Sequence, residues 1–208
     1  PARHIALIST VGCLALLPAV LAGPIKVFVS IEPQHEFVTK VGGDRVTVEV
    51  LVAPGQSPAT YSVTARQMGK LSKADVLFSI GVPFERVLLP KIRRTIPELK
   101  IVDTASGITK RKMIAHVHDI PASRHAHDDH EEHGDRKGHD HHEEEAEPEG
   151  DDPHTWLNPL HVCLQAREIF QALAEIDPGG QEVYRANLLR FEEELHSLHD
   201  RLADVLAR

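Results

Sequence analysis

The residues with the clearest chemistry are histidines, and they are unevenly placed. The chain carries 15 histidines against nine Phe, Trp and Tyr residues together, and nine of the histidines fall within residues 116–152. There they are interleaved with carboxylates, as in His125-Ala126-His127-Asp128-Asp129-His130 and His139-Asp140-His141-His142. Neutral imidazole suits zinc, copper and nickel, while carboxylates add charge and weaker oxygen donors. His125, His127, His130, His133, His139, His141 and His142 therefore read as a metal-collecting set. A segment this polar is too poor in apolar residues to bury and is expected to stay disordered without metal, so its binding would be loose and exchangeable. A solvated acidic loop is the plainer reading, but charge alone does not call for so many imidazoles.

His154 is a different case. It sits in Asp152-Pro153-His154-Thr155-Trp156-Leu157-Asn158-Pro159. Pro153 fixes the approach, Trp156 and Leu157 can bury, and Pro159 can open a helix. Those neighbours place the imidazole on a rigid, partly apolar wall, and a specific site needs such pre-organisation. The plainer alternative is a capping or surface histidine.

The rest of the chain must position these groups. Of its net charge of −8, residues 116–152 supply 14 acidic and 3 basic side chains, leaving 17 acidic and 20 basic elsewhere. The folded part is thus near neutral, with no sign of the basic face that nucleic acid requires. Arg3 and His4 precede an apolar stretch ending Val20-Leu21-Ala22, which reads as a signal peptide over residues 1–22, cleaved before Gly23, and implies export to the periplasm. Gly12 and Pro18 speak against a membrane-anchoring helix, and Thr10-Val11-Gly12 before Cys13 is a poor lipobox. Cys163 is then the one remaining cysteine, unable to form an internal disulfide and expected to pack in the core. Setting aside residues 1–22 and 116–152 leaves 149 of the 208 residues, enough for one compact domain.

Within that domain, periodicity predicts strands over 25–31, 46–52, 75–80 and 99–102, alternating with helices over 33–41, 64–73 and 83–94. A β-α-β-α-β-α-β order specifies an α/β fold with a parallel sheet flanked by helices. Ligands of such sheets sit beyond the C-terminal strand ends. After the polar segment, helices are predicted over 159–176 and 181–208, the latter a long amphipathic helix with a turn at 177–180 before it. No G-x-G-x-x-G follows the first strand, so a nucleotide site is not indicated. Catalytic motifs are also missing. Ser30, Ser57 and Ser79 lie on no nucleophile elbow, and His35-Glu36-Phe37-Val38-Thr39 fails the H-E-x-x-H pattern.

Taken together, the chain resembles the zinc/manganese solute-binding proteins of bacterial ABC importers. The matching residues are Ser30-Ile31-Glu32-Pro33, Gly42-Gly43-Asp44-Arg45-Val46, Pro54-Gly55-Gln56-Ser57-Pro58-Ala59-Thr60-Tyr61, Ala74-Asp75-Val76, Gly81 to Glu85, the His-rich loop, the Asp152-to-Pro159 run, Asp177-Pro178 and the long helix. The resemblance implies a periplasmic, non-enzymatic receptor holding one divalent ion between two α/β lobes and delivering it to a membrane permease. It implies zinc, with manganese as the alternative, and a monomer when full length, with no small organic substrate. Residues 23–176 then correspond to the N-terminal lobe, including the loop, and 181–208 to the helix linking two lobes. On this reading the C-terminal lobe is absent and the linking helix truncated. His154 matches the ligand histidine that follows the loop.

Two departures stand out. The family's first ligand is the histidine of a Pro-His-x-Tyr motif, where this chain has Ala59, which cannot coordinate. His35, at the end of the first strand, and Glu85, past the third, are the available substitutes, with His35 preferred as an imidazole. The remaining family ligands belong to the second lobe, so one lobe alone is expected to bind weakly at the cleft. A competing reading is a periplasmic zinc buffer or metallochaperone that acts through the His-rich loop without a permease. A metal-dependent hydrolase ranks below both, because no general-base motif accompanies a metal triad.

Overall fold

The computed structural model describes residues 23–58, 60–112 and 151–207. Four short runs rich in Val, Ile and Phe form strands β1 (Ile25–Val29), β2 (Val46–Val50), β3 (Val76–Ser79) and β4 (Lys100–Asp103). They make one sheet in the order β2-β1-β3-β4, and every neighbouring pair is parallel. Val27 stands opposite both Val48 and Val76, and Leu77 opposite Ile101.

Helices cover both faces, as the alternation of elements requires. Val27, Val29, Val76 and Phe78 point into one core, shared with α1 (Glu32–Gly42), α4 (Pro159–Ile176) and α5 (Gln181–Leu206). Phe28 and Leu77, one residue out of phase, point into the other with α2 (Ala65–Leu71) and α3 (Glu85–Thr95). The central strands are therefore buried nearly throughout, Lys26 excepted, while β2 is at most half-buried at the edge. Cys163 lies in the first core as a free, buried thiol.

The predicted strands ran slightly long because apolar sequence continues past the ladder. Ser30, Ile31, Leu51 and Val52 stay buried in the strand-end loops, with the Leu51 N–H still bonded to the Val29 carbonyl at 2.9 Å. Helix boundaries follow local chemistry. Thr64 caps α2 by accepting from the Gln67 N–H at 3.2 Å, and Asn158 caps α4 by accepting from the Leu160 N–H at 3.0 Å. Gly42-Gly43 ends α1, with Gly43 at φ 56°.

α5 buries Tyr184, Leu188, Phe191 and Leu195 at helical spacing against α4 and α1. The same stripe continues through Leu198, Leu202 and Val205, which are progressively more exposed, at 37%, 41% and 66%. A three-membered clamp fixes the start of α5. The Tyr184 hydroxyl donates to Asp177 Oδ2 at 2.6 Å, and the Arg45 guanidinium reaches the same oxygen at 2.6 Å from the turn before β2. No helix among the described residues is long and apolar enough to cross a membrane.

Candidate metal centre

Because the sheet is parallel, all four strands end at one edge, and the loops there are tied by a single buried amide. Gln34, fully buried on the first turn of α1, accepts through Oε1 from the N–H groups of Ser30 and Ile31 at 3.1 and 3.4 Å. Its Nε2 donates to the Ser79 carbonyl and to Thr104 Oγ1, both at 3.3 Å. One side chain thus joins the ends of β1, β3 and β4, and a buried polar network with its partners supplied gives such loops a fixed shape. Gln34 was not among the sequence candidates. The available signal was a Gln three residues into a Pro-started helix, the position from which a side chain reaches back to the capping backbone.

Glu85 sits at the start of α3 with only 3% of its surface exposed. Its carboxylate accepts from the N–H groups of Ile80, at 3.0 Å, and Gly81, at 2.7 Å. Burial pushes its carboxyl above the ordinary carboxylate range, and the adjacent Ser30 hydroxyl and the two backbone donors only partly offset this. Gly81 holds φ 89°, a left-handed conformation that favours glycine. Glu85 therefore shapes the loop after β3, and its oxygens are occupied by backbone donors.

His154 ends the polar run at the mouth of the lobe, with 53% of its side chain exposed. Its Nδ1 lies 2.7 Å from Asp152 Oδ1, and the same oxygen accepts the His154 backbone N–H at 3.0 Å. These bonds, the backbone one foremost, hold the Asp152 carboxyl below the usual carboxylate range. Residues 155–157 form a 3₁₀ turn, anchored where Gln165 Nε2 from α4 donates to the buried Thr155 hydroxyl at 3.4 Å. The Trp156 ring, 5.0 Å from the imidazole between centroids, packs against both cores. Lys112 and Asp151 form an isolated antiparallel bridge and an ion pair at 2.6 Å.

Two adjoining clefts result. One of about 410 Å³ is lined by Asp152, His154, His161, Lys110 and Arg111 among others. A second of about 510 Å³ contains Glu85, Asp103, Asp151 and Arg86, and Lys110 forms part of both walls. The fold brings His154 and Glu85 into neighbouring clefts. His35, half-buried on the first turn of α1, lines neither. His125, His127, His130, His133, His139, His141 and His142 lie outside the described residues, as does Ala59. Among the described residues no group of three or more His, Cys, Asp or Glu side chains is placed to hold a metal ion. Asp152 is, among the described residues, the only acidic one lining the His154 cleft, which also presents Lys110 and Arg111. A divalent cation there needs further donors to offset those charges.

A parallel four-stranded sheet between helical layers, followed by a long helix, is the architecture of an α/β lobe of a solute-binding protein. The family model described as "ZnuA: Zinc-uptake complex component A periplasmic" matches residues 27–208, and the chain belongs to that family, one of uptake-complex components and not of enzymes. The chain is 28% identical over 187 residues to the zinc-binding lipoprotein AdcA of Streptococcus pneumoniae, covering 89% of this chain and 34% of that protein. It is 24% identical over 202 residues to the iron-binding protein YfeA of Yersinia pestis, covering 97% of this chain and 55% of that one. A crystal structure of a zinc-bound ZnuA deletion mutant superposes with a TM-score of 0.70 at 33% identity, covering 88% of this chain and 59% of the other. The chain thus spans between about a third and just over half the length of these relatives.

Proposed function

We propose that this chain contributes one wall of a divalent-metal site in a periplasmic receptor, and that the receptor passes its ion to an ABC importer permease. Zinc is the favoured cargo and manganese the alternative. His154 is the principal donor of this lobe, and His35, which lines neither cleft beside it, is at most a lesser one. Glu85 acts by shaping the loop beside them. Residues 23–176 form the N-terminal lobe, and the α5 segment serves as the linking helix, whose exposed stripe from Leu198 to Val205 suits a further packing surface.

The observation that carries this reading is the state of His154. It is exposed at the strand-end edge on an anchored turn, with one ring nitrogen engaged by a carboxylate and no hydrogen bond to the other among the described residues. A neutral imidazole in that state is a ready zinc ligand. Zinc prefers four donors, so the described residues of this lobe supply part of the set.

A second reading, a zinc buffer working through residues 116–152 alone, draws on the nine histidines of that segment. Competitive zinc titration of the wild-type protein, of His154→Ala and of a variant lacking 113–150 separates the two. The receptor reading expects the deletion to remove weak sites and keep the tightest one, and His154→Ala to remove that tightest one. If the deletion abolishes all binding while His154→Ala changes nothing, the buffer reading replaces it.

A further inference from the structure

Resting on the reading of His154 as a metal donor, we propose that Asp152 is a positioning residue that assigns the metal to the Nε2 atom of His154. An ionised carboxylate has no proton to give and can only accept. With Asp152 Oδ1 at 2.7 Å from Nδ1, the proton of a neutral His154 sits on Nδ1 and the lone pair on Nε2. Imidazole free in water favours the opposite tautomer, so the carboxylate reverses the default.

The same oxygen also fixes the direction in which the lone pair points. It accepts the backbone N–H of His154 at 3.0 Å together with the ring N–H, so ring and backbone are locked to one point. Asp152 is itself held, since its own N–H donates to the Arg111 carbonyl at 2.7 Å. The intervening Pro153 restricts the chain between them, and Gln165 anchors the next residue, Thr155, from α4. The imidazole is therefore set before any ion arrives, and an anionic partner on Nδ1 makes Nε2 the stronger donor. Asp152 touches no metal on this account and acts wholly through His154.

The test uses the full chain labelled with ¹⁵N-histidine, as wild type, D152N and D152A. The His154 ring signals are assigned by their loss in H154Q, and spectra are recorded without metal and during zinc addition. The amide oxygen of D152N can still accept from Nδ1–H, whereas D152A cannot. The expected result is an Nδ1–H tautomer in wild type and D152N, and a shift toward Nε2–H in D152A. Zinc should move the Nε2 resonance in wild type, with D152A needing about ten- to hundredfold more zinc for the same change and D152N lying much closer to wild type. A wild-type proton on Nε2 overturns the proposal, as does a D152A chain whose His154 takes up zinc at wild-type concentrations. Zinc that leaves His154 unmoved in a wild type already holding the Nδ1–H tautomer overturns the ligand reading beneath it, which the metal-free spectrum keeps distinct.

Discussion

At the scale of single residues, the site-bearing edge depends on polar side chains that are buried for a purpose. Glu85 faces two backbone N–H donors, and in Glu85→Gln the amide NH2 must either turn toward those donors or leave one of them unpaired. A buried donor left without a partner costs about 1–3 kcal/mol, so this variant should unfold at lower denaturant concentration with an unchanged m-value, measured by urea titration. The pH dependence has a definite sign. The folded Glu85 carboxyl is raised above its ordinary value of 4.5, so its charged form is disfavoured by folding. The penalty on its charged form is therefore absent below 4.5, and stability falls as pH climbs from there through the raised value; Glu85→Gln should lose that fall. The anchored turn that carries His154 was legible in the sequence because proline, tryptophan and asparagine surround it at fixed spacing, although Leu157, expected to bury with Trp156, is 71% exposed. Gln34 was not, because its partners Ser79 and Thr104 lie 45 and 70 positions away and only folding brings them together.

At the scale of elements, the strand–helix alternation could be read to within two residues at each boundary, because hydrophobic period and Gly/Pro punctuation are local signals. The device that seats α5 could not. Arg45 meets Asp177 across 132 positions and Tyr184 across 139. Burial, then the bond to Asp177, pushes the Tyr184 hydroxyl up to about 12, so it remains a donor throughout the physiological range. Burial alone would raise the Asp177 carboxyl, but its bonds from Tyr184 and Arg45 win and hold it below 3.8. A depressed carboxylate stabilises the fold fully above its unfolded value and loses that contribution as pH falls below about 3.8. Thermal unfolding between pH 5 and pH 2 should therefore show a steeper loss for wild type than for Asp177→Asn. Gly180 makes the clamp possible, since a Cβ there would stand 2.5 Å from both Arg45 Nε and Asp177 Oδ2. Gly180→Ala should separate the three groups and cost about 1–3 kcal/mol, and Tyr184→Phe about 0.5–1.5 kcal/mol, both measurable by chemical denaturation.

At the scale of the whole molecule, the two cores, the strand-end loops and the long helix make one lobe that presents His154, exposed and oriented, at its strand-end edge, in a family of zinc-uptake components. The histidines of the sequence pointed to metal and to His154 as the proposed donor, yet the partners proposed to join it could not be derived from sequence. Ala59 removes the expected partner, and donors converge only when elements far apart in the chain fold together. The described residues place Glu85 in the adjoining cleft with its oxygens occupied and leave His35 outside both clefts. Coordination at this edge should therefore be sparse in the isolated chain, and titration should find His35→Ala a smaller loss than His154→Ala. The most direct measurement is a crystal structure with zinc bound, its position fixed by anomalous scattering at the zinc edge. The ion should lie about 2.0–2.1 Å from Nε2 of His154, with Asp152 still on Nδ1. Zinc held elsewhere on the lobe with His154 uncoordinated, or coordinated through Nδ1 with Asp152 displaced, would show the central claim to be wrong.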